Sequence, residues 1–105
     1  MSAIGEKENI VNIQTGWVLL EISGGGCASC EALYPVLKEI EEQIDGLKVV
    51  RIEAEALTEE WLKERNILRL PTCLLLYNGE EKGRFHGFQP TEILEIWLES
   101  KMQAD

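Results

Sequence analysis

Basic residues are scarce in this sequence, and long apolar runs are missing. Lys and Arg number 10 against 19 Asp and Glu, a formal net charge of −9. That balance argues against general nucleic-acid binding, because a phosphate backbone needs a basic patch. It is also a poor match to an anionic membrane surface. No stretch approaches the roughly 20 apolar residues that span a bilayer. The opening MSAIGEKENIVNIQTG has no basic segment followed by an apolar run, so no secretory leader is expected. Cysteine is limited to three residues, an odd and small count that does not make a disulfide-stapled secreted scaffold. These absences point to the cytoplasm, where disulfides in small proteins tend to be transient and catalytic. No internal repeat or low-complexity segment is visible.

What is present suits one α/β domain spanning 1–105, with the first seven or eight residues a loose end. The chain has 105 residues, 45% hydrophobic and 28% charged, ordinary values for a globular unit. Trp17 to Ile22 is almost continuously apolar, as a strand buried on both faces would be, and Gly24-Gly25-Gly26 ends it. A helix is expected from about Cys27 to Ile44, with Leu33, Val36, Leu37, Ile40 and Ile44 on one stripe and a kink at Pro35. Leu47 to Ala54 reads as a second buried strand. Thr58 caps a short helix ending near Arg65-Asn66, with Leu57 and Leu62 at staple spacing. Thr72 to Tyr77 is a third strand, Asn78-Gly79 a hairpin turn, and about Lys82 to His86 its partner. A last helix opens near Gln89-Pro90 and buries Ile93, Leu94, Trp97 and Leu98. Strand, helix, strand, helix, strand, strand, helix implies a mixed sheet with helices on both faces.

Two cysteines stand in Cys27-Ala28-Ser29-Cys30, where a buried strand hands over to a helix. Free backbone N–H groups and the positive dipole end at a helix start stabilise a thiolate. A cysteine so placed falls from a pKa of about 8.5 to about 7 or lower, and the thiolate is the attacking species in disulfide exchange. Cys30, one turn on, can resolve a mixed disulfide by attacking Cys27. A C-x-x-C also makes half a zinc site, but Cys73 and His86 supply no standard second half. Glu21 sits between Leu20 and Ile22; burying an acid there is costly and should raise its pKa. The other reading puts Glu21 in solvent at a frayed strand. Cys73 reads as a packing cysteine in a buried strand, and Trp17, Trp61 and Trp97 as core or near-core aromatics.

From Trp17 onward the chain resembles the thioredoxin family. The residues that carry the likeness are Val18-Leu19-Leu20-Glu21-Ile22 ahead of the C-x-x-C, Pro35, Leu70-Pro71-Thr72 before a strand, Asn78-Gly79-Glu80, and Gly87. The resemblance implies a thioredoxin fold with a central mixed sheet of four to five strands. It implies a cis Pro71 facing the cysteines, beside which an extended substrate can pair. Glu21 takes the position of a buried carboxylate that exchanges a proton with the resolving cysteine, Cys30, through water. Ala28, Ser29, Leu70, Pro71, His86, Gly87 and Phe88 fall on the substrate-facing rim. His86 is either a surface residue or one that tunes Cys27. The implied activity is protein-disulfide reduction by a monomer. Its partners are disulfide-containing proteins and a thioredoxin-reductase-type electron donor, with no nucleic acid and no membrane. No cofactor is implied, since the two sulfurs carry both electrons.

The chain departs from the family in three places. Gly26 stands where Trp usually precedes the first cysteine, Ala28-Ser29 replaces Gly-Pro, and Glu31 follows Cys30 where Lys is common. Losing Pro loosens the helix start, and Glu31 opposes a deeply lowered thiolate pKa. The short N-terminal segment also leaves the family's first strand or helix reduced or missing. A non-catalytic binding module on the same fold is the competing reading.

Overall fold

The computed structural model describes residues 15–103, and expectations for the first residues lie outside them. Strand β1 (Trp17–Ser23) leads into helix α1 (Ala28–Gln43), then β2 (Leu47–Glu53) and a 3-10 turn at Ala54–Ala56. Helix α2 (Glu59–Glu64), the hairpin β3 (Thr72–Tyr77) and β4 (Glu80–His86), and helix α3 (Thr91–Gln103) complete the order. The described strands form one mixed sheet, β2-β1-β3-β4. β1 runs parallel to β2 and antiparallel to β3, and β3 is antiparallel to β4.

Side chains alternate across the pleat, so β1 serves two cores. Leu19, Cys73 and Leu75 meet Leu33, Leu37 and Ile40 of α1 and Leu94 and Leu98 of α3. On the opposite face Val18, Leu20, Ile22, Leu74 and Leu76 pack with Leu57, Trp61 and Leu62 around α2. Helices on both faces therefore bury a strand with almost no polar position. Glu21 shares the pleat side of Leu19, facing α1.

Some elements differ in detail from the sequence reading. Ile93 is 54% exposed and is not part of the buried face of α3. Only Leu94 and Leu98 of α3 are fully buried, because α1 already occupies much of that sheet face. Pro90 precedes α3, its carbonyl accepting from Leu94 N–H at 3.0 Å. α1 runs through Pro35, which lies on the exposed side, where a missing N–H bond is least costly. Asn78 and Gly79 both have positive φ, 51° and 86°, the turn that suits strand twist in a two-residue hairpin.

Thr58 caps α2 as its sequence position suggests, its hydroxyl accepting from Trp61 N–H at 3.0 Å. Thr58→Ala is expected to lower unfolding stability by about 1 kcal/mol in urea denaturation. A change below a few tenths of a kcal/mol would show that packing of Trp61 and Leu62, not the cap, fixes this helix.

Candidate active site

The parallel pairing of β1 with β2 and the antiparallel pairing with β3 bring three segments to one end of the sheet. Ile22 stands opposite Thr72, and Thr72 opposite His86. The glycine loop, the segment before β3 and the end of β4 are thus neighbours. Gly26 has φ +65°, a conformation L side chains rarely adopt, and it turns the chain into α1. That backbone accounts for glycine where the family carries Trp.

Cys27 is the N-cap of α1, with extended φ and ψ of −111° and 105°. Its Sγ accepts the backbone N–H of Cys30 at 3.2 Å, and the Ser29 hydroxyl lies 3.5 Å away. The Leu70 carbonyl oxygen is 4.0 Å from the same sulfur. Cys27 and Cys30 are joined as a disulfide, with Cα atoms 5.2 Å apart. The two sulfurs are unlike in access: Cys27 is partly exposed, whereas Cys30 is 1% exposed. Only the first is open to an external disulfide.

The rim residues gather around this pair. Ala28 is exposed and Ser29 partly so. The Leu70–Pro71 peptide bond is cis. Pro71 O accepts from Gly87 N–H at 2.9 Å, which ties the end of β4 to the segment before β3. Gly24 passes so close to Leu70 that a Cβ there would stand 2.6 Å from its Cδ1. His86 and Phe88 are exposed beside them. Glu55 of the 3-10 turn adds a carboxylate that the sequence did not place here, 3.6 Å from where a Cβ of Gly25 would lie.

Glu21 is 0% exposed, so it does not face solvent at a frayed strand. Nor is it a lone buried acid, as its apolar neighbours in sequence suggested. Arg51 Nε donates to Oε1 at 2.7 Å and Nη2 to Oε2 at 3.2 Å. Nη2 also donates to the carbonyl oxygen of Cys30 at 2.8 Å. The cost of burial is therefore offset by a bidentate ion pair, and the same guanidinium holds the first turn of α1. The Glu21 carboxylate raises the Arg51 pKa, chiefly through the hydrogen bond, against the opposing effect of burial. Arg51 also lies 4.7 Å from the centre of the Tyr34 ring.

Sequence reasoning missed Arg51, because its pairing with Glu21 depends on the register of two strands. Glu21 and Arg51 each stand fifth in their strands, and the parallel register sets them opposite each other. Cys73, on the other side of Glu21, is fully buried. Burial first, then the Glu21 charge, pushes its thiol far above the ordinary range, against a smaller lowering by Arg51. Such a thiol is a packing group and not a nucleophile. Among the described residues, no three His, Cys, Asp or Glu side chains gather as metal ligands.

Comparison with known proteins agrees with this geometry. The family model described as thioredoxin matches residues 5–100. Thioredoxin of Bacillus subtilis strain 168 is 32% identical over 81 residues, covering 76% of this chain and 77% of its own. Thioredoxin Y, chloroplastic, of Oryza sativa subsp. japonica is 31% identical over 88 residues, covering 83% of this chain and 52% of its own. The solved structure of a point-mutant thioredoxin from Halobacterium salinarum NRC-1 superposes with a TM-score of 0.80 at 23% identity. It covers 95% of this chain and 87% of that one, a likeness of fold. With an accessible sulfur at a helix start and a buried one a turn behind it, this chain belongs to the thioredoxin family of thiol–disulfide oxidoreductases.

Proposed function

We propose that the chain reduces disulfides of other proteins, with Cys27 as nucleophile and Cys30 as resolving thiol. The observation that carries the reading is the N–H of Cys30 directed at Cys27 Sγ, 3.2 Å away at the start of a sixteen-residue helix. A thiolate there gains a hydrogen bond and the helix dipole. Cys27 thiolate attacks one sulfur of the substrate disulfide, and the other substrate sulfur leaves with the bonding electrons. Cys30 then passes its proton through water towards the Glu21 carboxylate and attacks Cys27. The Cys27–Cys30 bond forms, the second substrate thiolate departs, and two electrons have moved from the protein to the substrate. Arg51 fixes both Glu21 and the Cys30 carbonyl during this exchange, so that the acid and the resolving thiol keep their relative positions.

Ala28, Ser29, Leu70, Pro71, His86 and Gly87 bind the substrate chain in this reading. A dithiol that must be reset to its reduced form belongs in a reducing compartment, hence the cytoplasm, served by a thioredoxin-reductase-type donor. The chain acts as a monomer, with neither nucleic acid nor membrane as partner. The test is insulin reduction driven by dithiothreitol. Wild-type protein at micromolar concentration is expected to precipitate the insulin B chain, and Cys27→Ser to reduce the rate to the dithiothreitol background. Wild-type protein at background rate would sink the reading. Undiminished biological activity in a Cys27→Ser/Cys30→Ser variant would favour a binding module instead. The reduction potential then sets the direction: about −270 mV marks a reductant, about −120 mV an oxidant.

A further inference from the structure

The single histidine is bonded so that only one of its nitrogens exchanges a proton. Thr72 Oγ1 lies 2.6 Å from the carbonyl oxygen of Arg69 and 3.0 Å from His86 Nδ1. A hydroxyl has one proton, and a carbonyl oxygen can only accept. Thr72 therefore donates to Arg69 and must accept from His86. Nδ1 carries a proton in both the neutral and the cationic ring, and gain or loss takes place at Nε2. Thr72 is 0% exposed and pairs with His86 across the two strands, while His86 itself is exposed. The ring thus has its Nδ1 edge anchored in the protein and its Nε2 edge turned outward. Next in sequence, Gly87 is bonded to Pro71, and the Leu70 carbonyl oxygen lies 4.0 Å from the sulfur of Cys27.

We propose that His86 is a catalytic general acid for the first half of the exchange. As Cys27 forms its bond to one substrate sulfur, Nε2–H of the cationic ring protonates the thiolate that leaves. The substrate S–S bond breaks, its electron pair stays on the leaving sulfur, and the proton on that sulfur comes from Nε2. Solvent then returns a proton to the ring. An alkyl thiol has a pKa of about 8.5, so its thiolate gains from protonation as it departs. An aryl thiolate is a much weaker base and gains little. The inference rests on the reading in which Cys27 attacks the substrate.

The test compares two disulfides with reduced protein in single-turnover experiments: glutathione disulfide, and the aryl disulfide 5,5′-dithiobis(2-nitrobenzoate). Both are anionic, so loss of a positive charge alone slows both alike. In His86→Asn the side-chain amide can still donate to Thr72, but no proton can be transferred. The expected loss is roughly ten-fold with glutathione disulfide and no more than about two-fold with the aryl disulfide. This falls below the usual range of about 10²–10⁴ for general acids, because a thiolate already departs without a proton. Equal slowing of both reactions, or none, overturns the proposal. Should His86→Asn fail to fold, His86→Gln is read by the same ratio. A Cys27→Ser variant that still reacted with both disulfides would instead overturn the reading of Cys27.

Discussion

Cys30→Ser is expected to stop the reaction halfway, leaving a stable covalent complex between Cys27 and the substrate protein. The exposed sulfur can still attack, but nothing in the molecule can resolve the product. The size of the effect follows from proximity. In the wild-type protein the resolving thiol sits one turn from its target, with Cα atoms 5.2 Å apart. Well-oriented intramolecular groups reach effective concentrations of about 10⁵–10⁸ M. Taking only about 1 M for Cys30, against about 1 mM external thiol, turnover falls by on the order of 10³-fold. Non-reducing gels should show the complex, and dithiothreitol should release it. Cys27→Ser should form none, because Cys30 is 1% exposed and cannot reach a substrate. Complexes of equal yield from both variants, or from Cys27→Ser alone, would reverse the assignment of nucleophile and resolver.

That asymmetry was readable from the sequence, because it needs only local facts. A strand, a glycine run and an amphipathic stripe place Cys27 at a helix start and Cys30 one turn inside. The strands were equally legible, since Trp17–Ile22 and Thr72–Tyr77 are nearly unbroken apolar runs with room for few alternatives. Thr58 and Asn78-Gly79 also act through neighbours in sequence. Illegible were the contacts that depend on register between distant segments. Arg51 is thirty residues from Glu21, and its role appears only when β1 and β2 are aligned residue by residue. The bond from His86 to Thr72 depends on the hairpin, whose register shifts between Leu75 and Leu76. Glu55 reaches the glycine loop from a 3-10 turn that no periodicity announces. Ile93 has the spacing of a core residue but lies outside the narrow strip of α3 that the sheet covers.

Arg51→Met should be strongly destabilising. It removes the partner of a fully buried carboxylate and the donor to the Cys30 carbonyl together. Breaking a buried pair from one side typically costs about 3–5 kcal/mol, because a charge is left without compensation. The side chain of Arg51 is 28% exposed, so water can partly replace it and the lower end, about 3 kcal/mol, is expected. In a domain of this size that lowers Tm by roughly 12–24 °C. Glu21→Leu should cost less, since the freed guanidinium can turn to solvent and keep its bond to Cys30. The double variant Glu21→Leu/Arg51→Met should recover most of the loss, as apolar replacement of buried pairs often does. Urea unfolding of the four proteins closes the cycle. A loss below about 1 kcal/mol in Arg51→Met would mean that the pair contributes little to the folded state. Activity separates the remaining roles. Glu21→Leu keeps the Arg51 bond to the Cys30 carbonyl but has no acid at position 21. If Glu21 takes the proton of Cys30, it should attack disulfides at near the wild-type rate and accumulate the mixed disulfide. Wild-type resolution by that variant would leave Glu21 with a purely structural part.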